Sequence, residues 1–522
     1  MIAFALFLST FAQAVGPAAG CEANVEIVNA ETRQSIPGLL RAKNTAGEPL
    51  EISGLLSRGE GLEAAHPARQ WFVLPARSII RLPCGPVVFE AIAGVESHLT
   101  QARTALRPGH TAKLQIPLPF FSNVTAEGWR AGNTHLHLQK LSRSKAERYL
   151  KEVPAADGLQ VLFLSYLERA DVDRDYVTNG YSDADLAELT HSTGVIFGSG
   201  EEQRHNFSSF GEGYGHQLFL NVRKLIRPVS IGPGIMKWGT DGWPLQTGAD
   251  MAREQGATVL WCHNTQGTEG VASVILERAQ AVNIFDGDPA EHGLYADTFY
   301  RFLNVGLRVP FSTGTDWFLY DFSRVYVHVP DMRDAGDWLK PLTEGRSFIT
   351  NGALLSLHVG DQTIGDTLDL AAHASVPVRA KAVARMDFGA LEVIRNGKVI
   401  ASVAASKQGD TFVAEFNAAV DIAESSWLTA RVPPNTGTTA GVLKNELGAP
   451  LFAHTSPVYV NVAGRKTFVR ADAEFIRKQL LGQQMKVATT GVFASAAEKQ
   501  RVLNVYALAL ARLEAALKVD SW

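Results

Sequence analysis

Gly132-Asn133-Thr134-His135-Leu136-His137, set just after Trp129 and Arg130, is the stretch on which the reading of the chain turns. On a β-strand, side chains i and i+2 leave the same face. His135 and His137 can therefore point at one metal ion, with Leu136 packed behind them. Neutral imidazole is the commonest metal ligand, but it needs partners. A lone His-x-His carries little, so the question is whether the rest of the chain supplies them.

Outward from this stretch, apolar strand-like runs alternate with helix-like segments. Ser144 to Val153 reads as a helix before the run Leu159 to Leu164. Asp183 to Leu189 precedes Gly194-Val195-Ile196-Phe197. Thr247 to Gln255, closed by Gly256 as a residue past the helix end, precedes Ala257 to Trp261. Val271 to Gln280 and Asp297 to Asn304 are two further helices, and Gly306 to Phe311 follows the second. Continuous apolar strands alternating with helices predict a parallel sheet covered by helices. In such sheets and in barrels, active sites lie at the carboxyl ends of the strands. Here those ends carry His135 and His137, then Glu201-Glu202, then His263, then Asp316. His216 is read as lying in the glycine-rich loop Gly213-Tyr214-Gly215-His216.

The flanks have a different rhythm. Residues 21–120 contain short β-rich runs separated by Gly, Pro and Asn, the pattern of a β-sandwich. Residues 353–465 turn β-rich again, with Asn396-Gly397 as a hairpin turn signal, and read as a second β-sandwich. Residues 466–522 read as two helices, Ala471 to Leu481 and Ala496 to Leu517, the second opened by a capping box at Ser495 and Glu498. Residues 121–352 are the central domain between them.

The chain has 522 residues, 46% hydrophobic and 20% charged, with a formal net charge of −4. That balance gives no reason to expect nucleic acid, and no internal run reaches the ~18 apolar residues of a transmembrane helix. Residues 1–20 read as a signal peptide, with an apolar run from Met1 and a small-x-small site at Ala12-Gln13-Ala14. The expected location is secreted or periplasmic. Ala18-Ala19-Gly20-Cys21 is a candidate lipid attachment site. Cys21 and Cys84 can pair in an oxidising compartment or stand as two buried thiols. Cys262 reads as a small packed residue beside the site.

The set Gly132-Asn133-Thr134-His135-Leu136-His137, Gly200-Glu201-Glu202, Gly215-His216, Trp261-Cys262-His263-Asn264, Gly314-Thr315-Asp316-Trp317 and Gly345-Arg346-Ser347-Phe348-Ile349-Thr350-Asn351-Gly352 resembles the PHP (polymerase and histidinol phosphatase) superfamily of metal-dependent phosphoesterases. It looks most like the carbaryl-hydrolase-like branch. The resemblance covers about 129–355 and implies an α/β fold with a distorted (β/α)7 barrel. It implies metal ligation by His135, His137, Glu202, His216, His263 and Asp316, with Glu202 able to bridge and its neighbour Glu201 the alternative for that place. The chain departs from the family pattern at Asn133, where Asp is usual. It departs again after the second strand, where Ser165-Tyr166-Leu167-Glu168-Arg169 replaces an Asp-His pair, which implies fewer metals, one to three in all. Glu168 is a substitute candidate.

Mixed His and carboxylate ligands suit Zn²⁺, Mn²⁺ or Fe²⁺. Such a metal lowers the pKa of bound water from ~15.7 to about 7. The expected activity is hydrolysis of an ester, carbamate, amide or phosphoester bond in a small-molecule or saccharide-like substrate. Arg204 is a candidate to hold an anionic oxygen, and His205 to act as ligand or general acid, or to be a solvent-exposed histidine. Lys237, Asp241, Arg324, Tyr326, Trp238, Trp243, Trp261 and Trp317 are weaker candidates for the substrate face. His191, His292 and His328 fit no pattern and read as structural. The alternative is a non-catalytic binding protein with a degenerate metal site.

Overall fold

Alternating burial along Cys21–Asn29, with Cys21, Ala23, Val25 and Ile27 inside, sets the first layer of a computed structural model that describes residues 20–168, 176–207, 213–234, 239–263, 267–286, 298–433 and 441–522. The segment read as a signal peptide lies outside these residues apart from its last position. Cys21–Asn29 pairs antiparallel with Ser78–Leu82 and parallel with Ala112–Leu118. A second sheet, in the order Leu56–Ser57, Phe72–Leu74, Gly38–Lys43, Gly85–Ile92, Thr100–Leu106, faces it. Leu40, Ala42, Phe89 and Ala91 share one apolar core with the first sheet. Cys21 and Cys84 form a disulfide. A Cys21 sulfur in that bond is not available for a lipid thioether, so the two fates expected for it exclude each other.

The central sheet begins with β1 (Trp129–His137). It continues through α1 (Arg143–Ala156), β2 (Val161–Tyr166), α2 (Asp183–Thr193), β3 (Ile196–His205), β4 (Gly215–Leu220), α3 (Leu245–Glu254), β5 (Thr258–Trp261), α4 (Gly270–Ile275), β6 (Ala281–Asn283), α5 (Tyr300–Asn304), β7 (Phe311–Ser312) and β8 (Asp316–Trp317). β1, β2 and β3 pair in parallel. β4 is antiparallel to both β3 and β5. β5, β6 and β7 are parallel again, and β8 pairs in parallel with β1. The ladder thus returns to the strand it left. The expected parallel order is interrupted by β4, and His216 lies on that strand rather than in a loop. Its short run His216-Gln217-Leu218-Phe219-Leu220 follows a Gly-rich turn, which hid it from a reading based on alternating strands and helices.

The helices form where local signals agree. α2 has Ser182 as N-cap, a reciprocal capping box with Asp185, and Gly194 in the left-handed conformation at its end. α4 is shorter than expected, because Glu277 takes a φ of 54° and ends the turn. β9 (Arg324–His328) runs antiparallel to the start of β1, α6 (Ala335–Thr343) follows, and β10 (Ser347–Thr350) pairs with β9.

β10 then pairs with Ala453–Thr455. The sheet therefore continues across the expected boundary at 352/353 into Thr367–Leu370, Ala390–Arg395, Ser426–Val432 and Val458–Val462. A five-stranded sheet built on Leu354–Val359, Ala374–Ala384 and Thr411–Ile422 packs against it, with Leu357, Val378, Leu391 and Leu428 in one core. The chain ends in an antiparallel pair of helices, α7 (Arg470–Thr490) and α8 (Ala496–Val519). α7 runs nine residues past its expected end at Leu481, straight through Gly482. Among the described residues no helix is long and apolar enough to cross a membrane.

Candidate metal centre

β1 delivers His135 and His137. A register shift in its ladder with β2 falls between Asn133 and Leu136, and irregularities of this kind re-aim side chains at strand ends. Both imidazoles are fully buried, with their Nε2 atoms 3.0 Å apart. Leu136 packs into the core behind them. Gly314, just before β8, allows this approach: a Cβ there would meet the Cβ of His135 at 2.4 Å.

β3 delivers Glu202. Strand alternation puts Glu202 and Arg204 on the inner face and Glu201, Gln203 and His205 on the other. Glu202 Oε2 lies 3.0 Å from His137 Nε2 and 3.6 Å from His135 Nε2. Its other oxygen, Oε1, lies 3.1 Å from His216 Nδ1 and 3.8 Å from His263 Nε2. Asp316 splits the same way. Its Oδ1 is 3.4 Å from His135 and 3.6 Å from His137, and its Oδ2 is 3.9 Å from His263. Two donor groups result, His135-His137-Glu202-Asp316 and Glu202-His216-His263, with Glu202 in both. His135 and His263 also share a group with the buried Cys262.

Asp286, three residues past the end of β6 at Asn283, completes the setting. Its Oδ2 lies 2.7 Å from His135 Nδ1 and accepts a hydrogen bond from Asn283. This pairing fixes the proton of His135 on Nδ1 and leaves Nε2 facing the cluster. The backbone at these strand ends is strained. His263, Phe285 and Asp316 hold φ values of 51°, 62° and 56°, a left-handed conformation costing about 1–3 kcal/mol each in a non-glycine residue. Such strain persists only where the surrounding fold imposes it.

The electrostatics favour a cation. Burial opposes charge on His135, but Asp286, Asp316 and Glu202 outweigh it and hold its pKa well above the usual range. Burial likewise opposes charge on His263, yet Glu202, Asp286 and Asp316 lift it to about 9. Glu202 is pulled well below the usual carboxylate range by Arg204 and the histidines, against its burial. His216, partly buried and next to Arg204, is pushed down to about 3. Without an ion, protons on His135 and His263 together with Arg204 balance the three carboxylates, and a bound cation would take the place of those protons.

The residues fit a divalent ion. Glu202 Oε1, Asp316 Oδ1 and His216 Nδ1 are buried without a hydrogen-bond partner, a cost of about 1–3 kcal/mol per group unless something else satisfies them. The donor atoms around His135 and His137 are 3.0–3.6 Å apart, which is the spacing of ligands sharing one ion at ~2.0–2.2 Å.

Compared with protein-family models, curated proteins and solved structures, the chain matches none.

All six residues expected as ligands lie in these groups. Glu202, rather than Glu201, is the inward carboxylate; Glu201 accepts the Ile226 N–H on the far face, and burial pushes it up to about 8. Arg204 is 8% exposed and its nearest acidic atom is Glu202 Oε1 at 3.9 Å. The role expected of His205 needs correction. It points away from the cluster, with Nε2 2.9 Å from Asp241 and Nδ1 accepting the Tyr214 N–H. Glu168 is also displaced, paired with Arg227 at the surface. Arg324 and Tyr326 bind Asp157 and Glu96 elsewhere. Trp317 stands beside His137, ring centroids 5.2 Å apart, and stacks on Tyr176. Lys237, Trp238, Asn264 and His292 lie outside the described residues. Asp286 escaped the sequence reading, although Val282-Asn283-Ile284-Phe285-Asp286 has the same apolar-run-then-carboxylate form that marked Asp316.

Proposed function

We propose that the chain is an exported, PHP-like metal-dependent hydrolase. The observation that carries this reading is the division of Glu202 and Asp316 between two groups of histidines, which gives two adjacent cation positions with shared carboxylates. His135, His137, Glu202 and Asp316 would hold one ion, and Glu202, His216, His263 and Asp316 the other. Zn²⁺, Mn²⁺ or Fe²⁺ bound there supplies Lewis acidity and a hydroxide nucleophile at neutral pH.

The chain's own residues do the rest. Asp286 keeps the His135 proton on Nδ1. Arg204, nearly buried and with no side-chain hydrogen bond among the described residues, binds an anionic oxygen of the substrate on the His216 side. Trp317 and Tyr176 offer an aromatic wall next to His137. Within the set of ester, carbamate, amide and phosphoester bonds, Arg204 favours the phosphoester, whose oxygens carry charge throughout. The Cys21–Cys84 disulfide supports an oxidising compartment.

The test is to purify the chain, measure bound metal, and assay aryl phosphate, phosphodiester, aryl ester and carbamate substrates with added Zn²⁺, Mn²⁺ or Fe²⁺. Turnover that disappears in Asp316→Ala is expected. Tight metal binding with no turnover of any class would replace this reading by that of a metal-containing binding protein. Absence of metal binding would remove both.

A further inference from the structure

We infer that His205, Tyr214 and Asp241 form a positioning clamp through which the C-terminal helix pair holds His216 and His263 against Glu202. The inference rests on the metal-centre reading above and adds a dependence that reading does not contain: the cation position at His216 and His263 needs the C-terminal helices.

The β3–β4 ladder sets Arg204 opposite His216 and His205 opposite Gly215. Where His216 falls is thus decided at the turn just before it, which Tyr214 occupies. The Tyr214 N–H donates to His205 Nδ1 at 2.9 Å, and the two rings stack 3.7 Å apart at 12°. His205 Nε2–H donates to Asp241 Oδ1 at 2.9 Å, and the Tyr214 hydroxyl donates to the Asp241 carbonyl at 2.5 Å. Asp241 then reaches out of the centre. Its Oδ2 accepts the Val492 N–H at 2.6 Å, and its own N–H donates to the Val492 carbonyl at 2.8 Å. Val492 lies in the link between α7 and α8.

The His263 side is tied to the same hairpin. The Cys262 N–H donates to the His216 carbonyl, the Thr268 N–H to the Gly213 carbonyl and the Glu269 N–H to the Tyr214 carbonyl. Tyr506, on α8, hydrogen-bonds Thr268 Oγ1 at 2.9 Å. Both ends of the segment carrying His263 are therefore anchored to His216 and to the residues just before it, and α8 holds the far end.

His205, Tyr214 and Asp241 are fully buried. A neutral imidazole offers an acceptor and a donor on one rigid ring, which is what this place requires, and burial holds His205 in the neutral form. Removing the ring leaves a backbone N–H and a carboxylate oxygen unpaired in the interior, so the turn must move. None of the three side chains belongs to a donor group of the centre, so the clamp acts through position alone.

The experiment is calorimetric titration of the metal-free full chain with Mn²⁺ and with Zn²⁺, alongside electron paramagnetic resonance of the Mn²⁺-loaded protein. Wild type is expected to bind two ions with a spin-coupled Mn²⁺ signal. His205→Ala should weaken the second ion by about 10–100-fold, the range for supporting residues around a metal, hold the first within about twofold, and lose the coupled signal. His205→Gln, which keeps an acceptor and a donor, should restore both. Tyr506→Phe, which removes one hydroxyl, should show a smaller loss of the same kind and carries the test if His205→Ala does not fold. Equal weakening of both ions, or no weakening in either variant, overturns the clamp while leaving the hydrolase reading intact. Wild type that binds no ion overturns both.

Discussion

The two halves of the metal centre are built by different means. His135 and His137 come from one strand, are completely buried, and are fixed by Asp286, Gly314 and the core behind Leu136. His216 comes from the start of β4 and His263 from just past the end of β5; their side chains are 19% and 13% exposed, and the residues around them are held together at Tyr214. The flanks divide in the same way. From the N-terminal sandwich, Arg58 reaches the carbonyls of Leu319 and Asp321, just past Asp316. From the C-terminal helix pair, Val492 in the link bonds Asp241, whose carbonyl accepts the Tyr214 hydroxyl, and Tyr506 bonds Thr268. A position made by one strand inherits the rigidity of the core. A position made by turns needs support from elsewhere in the chain.

The comparison is broken most directly by removing one ligand from each half. His135→Ala should abolish hydrolysis, by on the order of 10³-fold or more, since a metal contributes several kcal/mol to the transition state. His263→Ala should leave the first ion in place and cost less, about 10–100-fold. Steady-state rates with metal analysis of both variants check this, and equal losses in both would show that the halves act as one unit.

Next in size is the support from the N-terminal sandwich. Arg58 and Asp157 form an ion pair with side chains 0% and 1% exposed. Removing one partner of such a pair costs about 3–5 kcal/mol because the other is left charged in the interior. Arg58→Ala should lower unfolding stability by that amount in a denaturant titration. A loss under about 1 kcal/mol would mean the sandwich does not brace the Asp316 side.

Arg204 sharpens the comparison from the substrate's side. It stands with the His216 half, and a hydrogen bond to a charged group is worth about 1.5–3 kcal/mol. Arg204→Gln should reduce kcat/KM for an aryl phosphate by about 10–100-fold and leave a neutral aryl ester within about threefold. A uniform loss on both substrates would make Arg204 a prop for Glu202 rather than a substrate contact.

What could be read from the chain followed the same division. His135, His137, Glu202, His263 and Asp316 each end an apolar run, so local pattern marks them. Strand alternation also held more than was taken from it: three positions beyond Glu202, His205 must face the other way. The β4 strand was missed because its direction is set by pairing with β3 and β5, not by its own few residues. Asp286 was missed because its meaning lies in His135, which is 151 residues away in sequence. The clamp on Tyr214 depends on Val492 and Tyr506, and no local signal announces a contact of that span.

The smallest expected effect concerns Asn133, which stands just before the two histidines of β1. Asn133 does not touch the ring of His135. Its Oδ1 accepts the His135 backbone N–H at 3.0 Å and its Nδ2 donates to Thr315 Oγ1 at 2.9 Å. It therefore ties β1 to the segment before Asp316, and the carboxylate that orients the imidazole comes from Asp286 instead. Asp286→Asn should weaken the first ion by about 10–100-fold. Asn133→Asp, whose carboxylate can still accept from the backbone N–H and from the Thr315 hydroxyl, should change that affinity by less than about threefold. Titration of both variants with Zn²⁺ decides between them. The reverse order would move the orienting role back to position 133 and make the 2.7 Å contact between Asp286 and His135 incidental to metal binding.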